Sequence, residues 1–233
     1  MSLLEGTGVT VRYGAVTAVD DVDIQVEPGM LHGVIGPNGA GKSTFMDALS
    51  GRRKPSAGKV MLDGEDITRK PVAWRRLHGV ARSFQRTSVF GSMTVRAQLD
   101  MVARRTGEPD VGHVIDALGL RKFLDVPCHS ISYGDQRSVD IAMALLGRPR
   151  VVLLDEPGAG LAHDESVRML DHIRELCTER GVAAVLVEHD VDGVFRVCDK
   201  ITVLNLGKVL ASGSPAEVRA DQQVIKAYLG SEA

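Results

Sequence analysis

The sequence predicts an α/β fold in which a mostly parallel sheet is covered by helices on both faces. Apolar runs of strand length alternate with amphipathic segments of helical length, which is typical of parallel sheets. The run at 31–35 leads through a glycine-rich loop into a helical segment, and the runs at 151–156 and 182–188 end in polar residues. Ligands collect at the carboxyl ends of such strands. The same observations therefore predict the fold and the sheet edge where a site would lie.

Composition limits the kind of protein this is. The 233 residues suit one domain, or one domain with a small inserted lobe. With 44% hydrophobic and 25% charged residues the chain resembles ordinary globular proteins, and a net charge of −2 does not favour nucleic acid as a partner. Two short basic runs, Arg52-Arg53-Lys54 and Arg75-Arg76, are expected to lie on solvated faces.

Cysteine usage and hydropathy indicate the compartment. Cys128, Cys177 and Cys198 stand far apart without a CxxC pair, so neither a disulfide framework nor a metal site with the seven histidines is expected. No stretch approaches the roughly 18 apolar residues of a membrane span, and the first residues lack a signal-peptide pattern. We expect a protein of the reducing cytosol that meets a membrane only through a partner.

Secondary structure is predicted from periodicity. Residues 9–13 and 19–26 alternate around Gly14 and predict an antiparallel edge sheet, to which 60–64 adds a short strand and turn. Helical composition over 93–120 predicts a helical lobe. The remaining predictions are a helix from Ser132, its cap, to about Leu146, a helix over 164–180 with Cys177 in the core, a hairpin around Gly207 and a short helix over 224–229.

The stretch 36–44 fits the phosphate-loop pattern GxxxxGK[ST] at every position. Its residues are Gly36, Pro37, Asn38, Gly39, Ala40, Gly41, Lys42, Ser43 and Thr44. The glycines let backbone N–H groups approach phosphate oxygens, Lys42 places a cation on the β- and γ-phosphates, and Ser43 offers a hydroxyl to Mg²⁺. The helix predicted over Ser43–Ser50 would face the phosphates with its positive end. A glycine-rich turn that binds nothing is the disfavoured alternative.

Two carboxylates follow the buried strand at 151–154. Asp155 stands at the carboxyl end of the strand, where it is a natural partner for Mg²⁺, and Glu156 points elsewhere and can contact a water. Helix capping or solvation would explain such a pair by itself, but the phosphate loop favours the catalytic interpretation. His189 after the second apolar strand and Gln85 at a strand end are weaker candidates. Tyr13 can stack on a base, or it can pack within its strand.

In order along the chain, these motifs resemble those of the ATP-binding subunits of ABC transporters. They are Tyr13, the phosphate loop, Gln85, Ser132-Tyr133-Gly134-Asp135-Gln136, Leu154-Asp155-Glu156-Pro157 and His189. The Ser132 stretch resembles the LSGGQ signature, which separates this family from other phosphate-loop NTPases. The resemblance covers nearly the whole chain. It implies one ABC ATPase domain over 1–233, with the helical lobe inserted at about 90–147.

The resemblance also implies roles for the nucleotide-binding residues. Tyr13 would stack on adenine, and Lys42 would hold the phosphates of ATP. Mg²⁺ would be surrounded by Ser43, Gln85 and Asp155.

Catalysis would rest on Glu156, His189, Lys42 and Gln85. Glu156 would act as general base or position the water, and His189 would contact the γ-phosphate. Two such domains would sandwich two ATP molecules. Ser132 and Gly134 of one subunit would then reach the γ-phosphate held by the other.

A narrower likeness is to the branched-chain amino-acid importers, and the urea and amide importers share much of it. The segments that carry it are 63–68, 79–85, 158–161 and 224–230. It implies an ATPase that energises uptake of branched-chain amino acids or a related small polar solute. Transmembrane permease subunits, a second ATPase subunit of the same or a different kind and, indirectly, a periplasmic or surface solute-binding protein would be its partners. The chain would be peripheral on the cytoplasmic face of the inner membrane.

The sequence departs from the family pattern at a few positions. Tyr133 and Asp135 change the signature, Ala162 replaces the usual Asp or Asn, and His163-Asp164 replaces the usual Pro. The segment 94–118 is shorter than usual. These departures concern coupling across the dimer and the identity of the permease, and leave ATP binding untouched.

Other functions remain open from sequence. A soluble ABC-type ATPase of DNA repair or translation would usually carry a coiled-coil insertion or two ATPase units, which this chain lacks. Glu156 and His189 disfavour a regulatory module without turnover. Only the narrower likeness favours import over export.

Overall fold

The computed structural model describes residues 2–83, 87–108, 110–147 and 149–229. Within these ranges ten strands are β1 Leu4–Tyr13, β2 Val16–Val26, β3 Leu31–Ile35, β4 Ala57–Leu62, β5 Glu65–Asp66, β6 Val80–Ser83, β7 Val151–Asp155, β8 Ala183–Val187, β9 Lys200–Asn205 and β10 Lys208–Gly213. The α-helices are α1 Lys42–Ser50, α2 Val72–Leu77, α3 Val95–Thr106, α4 Gly112–Ala117, α5 Tyr133–Leu145, α6 His163–Arg180, α7 Val191–Val197, α8 Pro215–Ala220 and α9 Gln222–Val224. Short 3₁₀ turns span Arg121–Phe123 and Cys128–Ser130, and a π-turn spans Ile225–Leu229.

The larger sheet has six strands in the order β10-β9-β3-β8-β7-β6. Every pairing is parallel except that of β10 with β9, which confirms the predicted, mostly parallel sheet. Val187 pairs with both Val34 and Asp155, so β3, β7 and β8 end at one edge of the sheet. The residues that follow these strands are thereby brought to one place.

The core lies on both faces of this sheet. On β7, Val152 and Leu154 belong to the cluster that includes side chains of α3, α5 and α6, while Val151 and Leu153 belong to the cluster under α1 and the smaller sheet. Both faces of each central strand are therefore buried, which explains apolar runs in place of alternation. All three cysteines are buried, and Cys177 lies in the core as predicted.

The smaller sheet is antiparallel, with strand order β2-β1-β4-β5, and confirms the predicted edge sheet. The strand predicted over 9–13 begins five residues earlier, at Leu4. Gly6 fits there because a Cβ would lie 3.0 Å from the Val9 side chain and 3.2 Å from that of Ile24. Close packing, and not a turn, accounts for this glycine.

The region predicted as a helical lobe contains helices α3 and α4. In α3, the Thr94 hydroxyl accepts a hydrogen bond from the Ala97 N–H, and the helix ends at Gly107 with φ 72°. In α5, Ser132 accepts from the Asp135 N–H at 3.1 Å, and its hydroxyl donates to the Asp135 carboxylate at 2.6 Å. The predicted cap is confirmed. None of the helices in the described ranges is both long and apolar enough to cross a membrane.

The prediction that Arg75-Arg76 lie on a solvated face is wrong. Arg75 is 1% exposed, and Arg76 is half-buried with its guanidinium donating to carbonyls near the end of α5. The Arg75 guanidinium donates to the carbonyls of Ala48, Leu49, Ile67, Thr68 and Lys70. The Ala48 and Leu49 carbonyls lie at the end of α1, where helix carbonyls lack partners within the helix. Those of Ile67, Thr68 and Lys70 lie in the segment between β5 and α2, so Arg75 joins the two segments. The Arg52-Arg53-Lys54 run is exposed, as predicted.

Candidate functional site

The loop between β3 and α1 has a course that only glycine permits at two positions. At Gly36, φ is 155° and a Cβ would lie 2.2 Å from the Leu204 carbonyl oxygen. At Gly41, φ is 102° and a Cβ would lie 2.5 Å from the Ala18 carbonyl oxygen. Residues 37–39 are exposed, and α1 begins directly after Gly41. The loop therefore presents a helix N-terminus to solvent, which suits an anion.

Lys42 lies under this loop. Its ammonium donates to the carbonyls of Gly36 at 2.6 Å and Pro37 at 3.1 Å, and the side chain is buried. Burial lowers the pKa of Lys42, and the negative charges of Glu156 and Asp155 oppose that shift. The cation thus stands between the phosphate loop and the two carboxylates. Ser43, the next residue, is exposed.

Asp155 is the last residue of β7 and is buried. Its Oδ2 accepts from Arg82 Nη2 at 2.8 Å, and Arg82 Nη1 also donates to Asp47 at 2.6 Å. Among the described residues, the buried Asp155 Oδ1 has no hydrogen-bond partner. A buried carboxylate oxygen without a partner is costly and is best satisfied by a cation or by water.

Mg²⁺ fits this donor set. Carboxylate and hydroxyl oxygens suit it, and it is usually bound through one or two protein groups plus substrate phosphates. Asp155 and Ser43 would supply those groups. In the described ranges no cluster of three or more His, Cys, Asp or Glu side chains could hold a metal ion by itself.

Glu156 and His189 lie in contact. Glu156 Oε1 is 2.9 Å from His189 Nε2, and the Glu156 N–H donates to the Val187 carbonyl. Glu156 has φ 51°, which is uncommon for a residue other than glycine. Its side chain is 9% exposed and that of His189 49% exposed. The ends of β7 and β8 therefore bring together two side chains that are 33 positions apart in sequence.

Sequence reasoning missed Glu188. This residue is buried, and its Oε1 accepts from the Gly158 N–H at 2.5 Å. Burial raises the pKa of Glu188, while hydrogen bonds from the N–H groups of Gly158 and His189 lower it. Glu188 thereby ties the end of β8 to the segment after β7. Its position directly between an apolar strand and His189 could have indicated a role in the site.

Sequence reasoning also missed Arg137, which is fully buried on α5. Its guanidinium donates to the carbonyls of Asp155 at 2.8 Å, Glu156 at 2.6 Å and Pro157 at 3.1 Å. Helical spacing could have indicated its burial, because Arg137 and Asp140 lie on the same face of α5 as the buried Ile141.

The remaining predicted residues lie further from this group. Tyr13 is 44% exposed, with the Arg53 guanidinium 4.3 Å from its ring centroid, so the ring is not packed in the core. Ser132 is exposed and Gly134 half-buried at the start of α5, where they line a surface cavity with Glu165 of α6. The lining of that cavity includes no residue of the phosphate loop. Gln85 lies outside the described residues.

Comparison with protein families gives two matches. Residues 19–159 match the family described as ABC transporter. Residues 208–233 match the family described as branched-chain amino acid ATP-binding cassette transporter. The first match spans more than half of the chain.

Curated relatives are similar over nearly their full length. The chain is 36% identical to the high-affinity branched-chain amino acid transport ATP-binding protein BraF of Pseudomonas aeruginosa, with 98% of each chain covered. It is 33% identical to LivG of Escherichia coli K12, a protein of the same description, again with 98% of each covered. It is 31% identical to the lipopolysaccharide export system ATP-binding protein LptB of Haemophilus influenzae, covering 100% of this chain and 99% of LptB.

Solved structures show the same fold. The ADP conformation of an ATP-binding cassette of an ABC transporter superposes with a TM-score of 0.88 and 28% identity, covering 99% of both chains. A nucleotide-free ATP-binding cassette from an ABC transporter gives a TM-score of 0.87 and 26% identity, covering 98% of this chain and 99% of the other.

Proposed function

Because the chain belongs to the ABC transporter family of ATP-binding subunits, we propose that it hydrolyses ATP to drive uptake of branched-chain amino acids or a related small polar solute. One observation carries the ATPase part: the phosphate loop, Asp155, Glu156 and His189 meet at one edge of the sheet. The substrate class is supported by the names of BraF and LivG and by the match over 208–233. That terminal match favours import, although a relative named for export has similar identity.

The nucleotide would lie across the phosphate loop. Backbone N–H groups of the loop and the start of α1 would hold the phosphates, and Lys42 would turn from the loop carbonyls to the β- and γ-oxygens. The half-exposed Tyr13 ring would stack on adenine. Ser43, Asp155 and Gln85 would hold Mg²⁺, which neutralises charge on the phosphate oxygens when it is bound.

Glu156 would act as the general base. A carboxylate at the edge of the phosphate site can accept a proton from a water as that water attacks the γ-phosphorus and the bond to ADP breaks. His189 Nε2 lies 2.9 Å from Glu156 Oε1, and its half-exposed ring would contact a γ-phosphate oxygen. Ser132 and Gly134 would complete the site from a second ATPase subunit, identical or different, because they lie away from the loop of their own chain.

A groove between α2 and α3 supports the permease assignment. It has a volume of about 1040 Å³, and its lining includes the exposed apolar side chains of Leu77 and Met101. Exposed apolar side chains in a concave surface can contact a partner. A coupling helix of the transmembrane permease would dock there and hold the chain, as a single ABC ATPase domain over 1–233, on the cytoplasmic face of the inner membrane. A periplasmic or surface solute-binding protein would act indirectly, and no nucleic acid would be involved.

The replacement Glu156→Gln tests the ATPase mechanism. Glutamine keeps the shape of the side chain but does not accept the proton, so turnover should fall by ~10²–10⁴-fold while Mg-ATP binding persists. Trapped ATP should join two chains, which light scattering with and without ATP measures. Glu175→Gln, on the exposed face of α6, is the control that should retain turnover. Near-normal turnover in Glu156→Gln would remove Glu156 from the catalytic role, whereas slow turnover without a dimer would point to a different ATPase partner.

Location tests the transport assignment separately. The chain expressed in its own cell should fractionate with membranes and should be recovered with permease subunits after mild detergent extraction. Fractionation with ribosomes or DNA in place of membranes would contradict the transporter assignment and favour a soluble ABC-type ATPase.

A further inference from the structure

Arg137 is a buried cation that makes no contact with substrate in the function proposed above. It lies on α5, five residues after Ser132, and none of its surface is exposed. The Nη2 atom donates to the carbonyls of Asp155 and Glu156, and Nε donates to that of Pro157. One planar group thus holds three consecutive carbonyls of the segment that carries both catalytic carboxylates.

The middle residue of that segment needs such support. Glu156 has φ 51°, a conformation that persists only where the surrounding structure imposes it. Its N–H donates to the Val187 carbonyl, and Arg137 donates to the Asp155 carbonyl before it and to the carbonyl of Glu156 itself. Because the guanidinium is rigid and planar, it fixes the relative directions of these carbonyls. The direction of the Glu156 side chain toward His189 follows from that backbone.

Asp140 connects Arg137 to a second functional segment. It lies one turn further along α5, with Oδ2 3.8 Å from Arg137 Nη1, and both side chains are buried. Its other oxygen, Oδ1, accepts from the Ser88 N–H at 3.1 Å. Ser88 comes three residues after Gln85. The first two turns of α5 therefore contact both the segment after Gln85 and the backbone of Glu156.

We infer that Arg137 is a positioning residue for Glu156, acting through the backbone carbonyls of residues 155–157, and that Asp140 orients it. The inference rests on the proposed function, because it requires Glu156 to be the base. It also means that α5, which begins with the Ser132 stretch, sets the position of the base in its own chain.

A double-mutant cycle distinguishes positioning from a structural role. Single-turnover hydrolysis of γ-labelled ATP is measured for Arg137→Gln in the wild-type chain and in Glu156→Gln, together with nucleotide affinity and thermal unfolding. Misplacement by about 1 Å costs on the order of 10²-fold in rate. We expect a fall of that size in the wild-type background, unchanged ATP affinity, and no further fall in the Glu156→Gln background.

Arg180→Gln is the matched control, because Arg180 donates to the Leu145 carbonyl at the opposite end of α5. It should leave turnover unchanged. If Arg137→Gln does not fold, Arg137→Lys and Asp140→Asn serve in its place, and each should slow hydrolysis only where Glu156 is present. An equal fall in both backgrounds, a loss of ATP affinity that explains the fall, or full activity of Arg137→Lys and Asp140→Asn would overturn the inference. Near-normal turnover in Glu156→Gln would instead remove Glu156 from the catalytic role in the proposed function, on which this inference rests.

Discussion

Replacing Arg82 by methionine should lower the free energy of unfolding by about 3 kcal/mol. Arg82 bridges Asp155 at 2.8 Å and Asp47 at 2.6 Å, and the side chains are 6%, 6% and 25% exposed respectively. Removing one partner of a buried ion pair typically costs about 3–5 kcal/mol, because the remaining charge stays buried without compensation. Methionine fills most of the volume, and Asp47 can reach water, so the lower end of that range applies.

Urea unfolding followed by circular dichroism, with a thermal scan beside it, measures this loss. In a chain of 233 residues each kcal/mol moves Tm by about 2–4 °C, so the midpoint should fall by about 6–12 °C. The control is Arg96→Met, which removes a two-point pair with Asp125 whose side chains are 50% and 80% exposed. Ion pairs exposed to solvent contribute little to the free energy of unfolding. Equal losses in the two variants, or a loss below about 1 kcal/mol for Arg82→Met, would refute the reasoning that burial makes the Arg82 bridge important.

Two further outcomes follow from the structure. Tyr13→Ala should weaken ATP binding while Tyr13→Phe does little, since stacking needs only the ring. Equal affinities of all three proteins in a nucleotide titration would exclude Tyr13 from adenine binding. Burial lowers the pKa of His32 to about 4 from its ordinary 6.5, so between these values the unfolded chain binds the proton and the folded chain does not. Stability should therefore hold above pH 6.5 and fall by up to about 3 kcal/mol as the pH approaches 4. Denaturant titrations across this pH range should show that His32→Gln lacks this loss of stability. An unchanged pH dependence of unfolding in that variant would contradict the role of His32.

Strand ends were the part of the site that the sequence predicted well. Apolar runs locate buried parallel strands, and the carboxyl ends of neighbouring parallel strands meet at one edge. This logic placed Asp155 and Glu156 at the edge without any knowledge of pairing. His189 was a weaker candidate from its strand end, and only the family resemblance gave it a role in the site. The phosphate loop was predicted for a related reason, because its glycines and Lys42 are local in sequence and their geometry is set by local backbone.

The buried arginines show what local patterns miss. Arg82 reaches partners 35 and 73 positions away, and Arg75 takes carbonyls up to 27 positions before it. A basic residue in a short run has the same local pattern whether its acceptors are water or carbonyls of distant segments. Only tertiary structure decides between them, and Arg75 was therefore predicted to be exposed although it is buried.

The position of Arg75 has a consequence for how the phosphate loop receives a nucleotide. Its guanidinium donates to the carbonyls of Ala48 and Leu49 at the far end of α1, roughly 10 Å from the first residue of that helix. A cation at the C-terminus favours the helix dipole just as an anion at the N-terminus does. The helix is thus preorganised before phosphate arrives, and little conformational entropy is left for binding to remove. Loss of Arg75 should therefore weaken nucleotide affinity at the N-terminus of α1, although the Arg75 guanidinium contacts the other end of that helix.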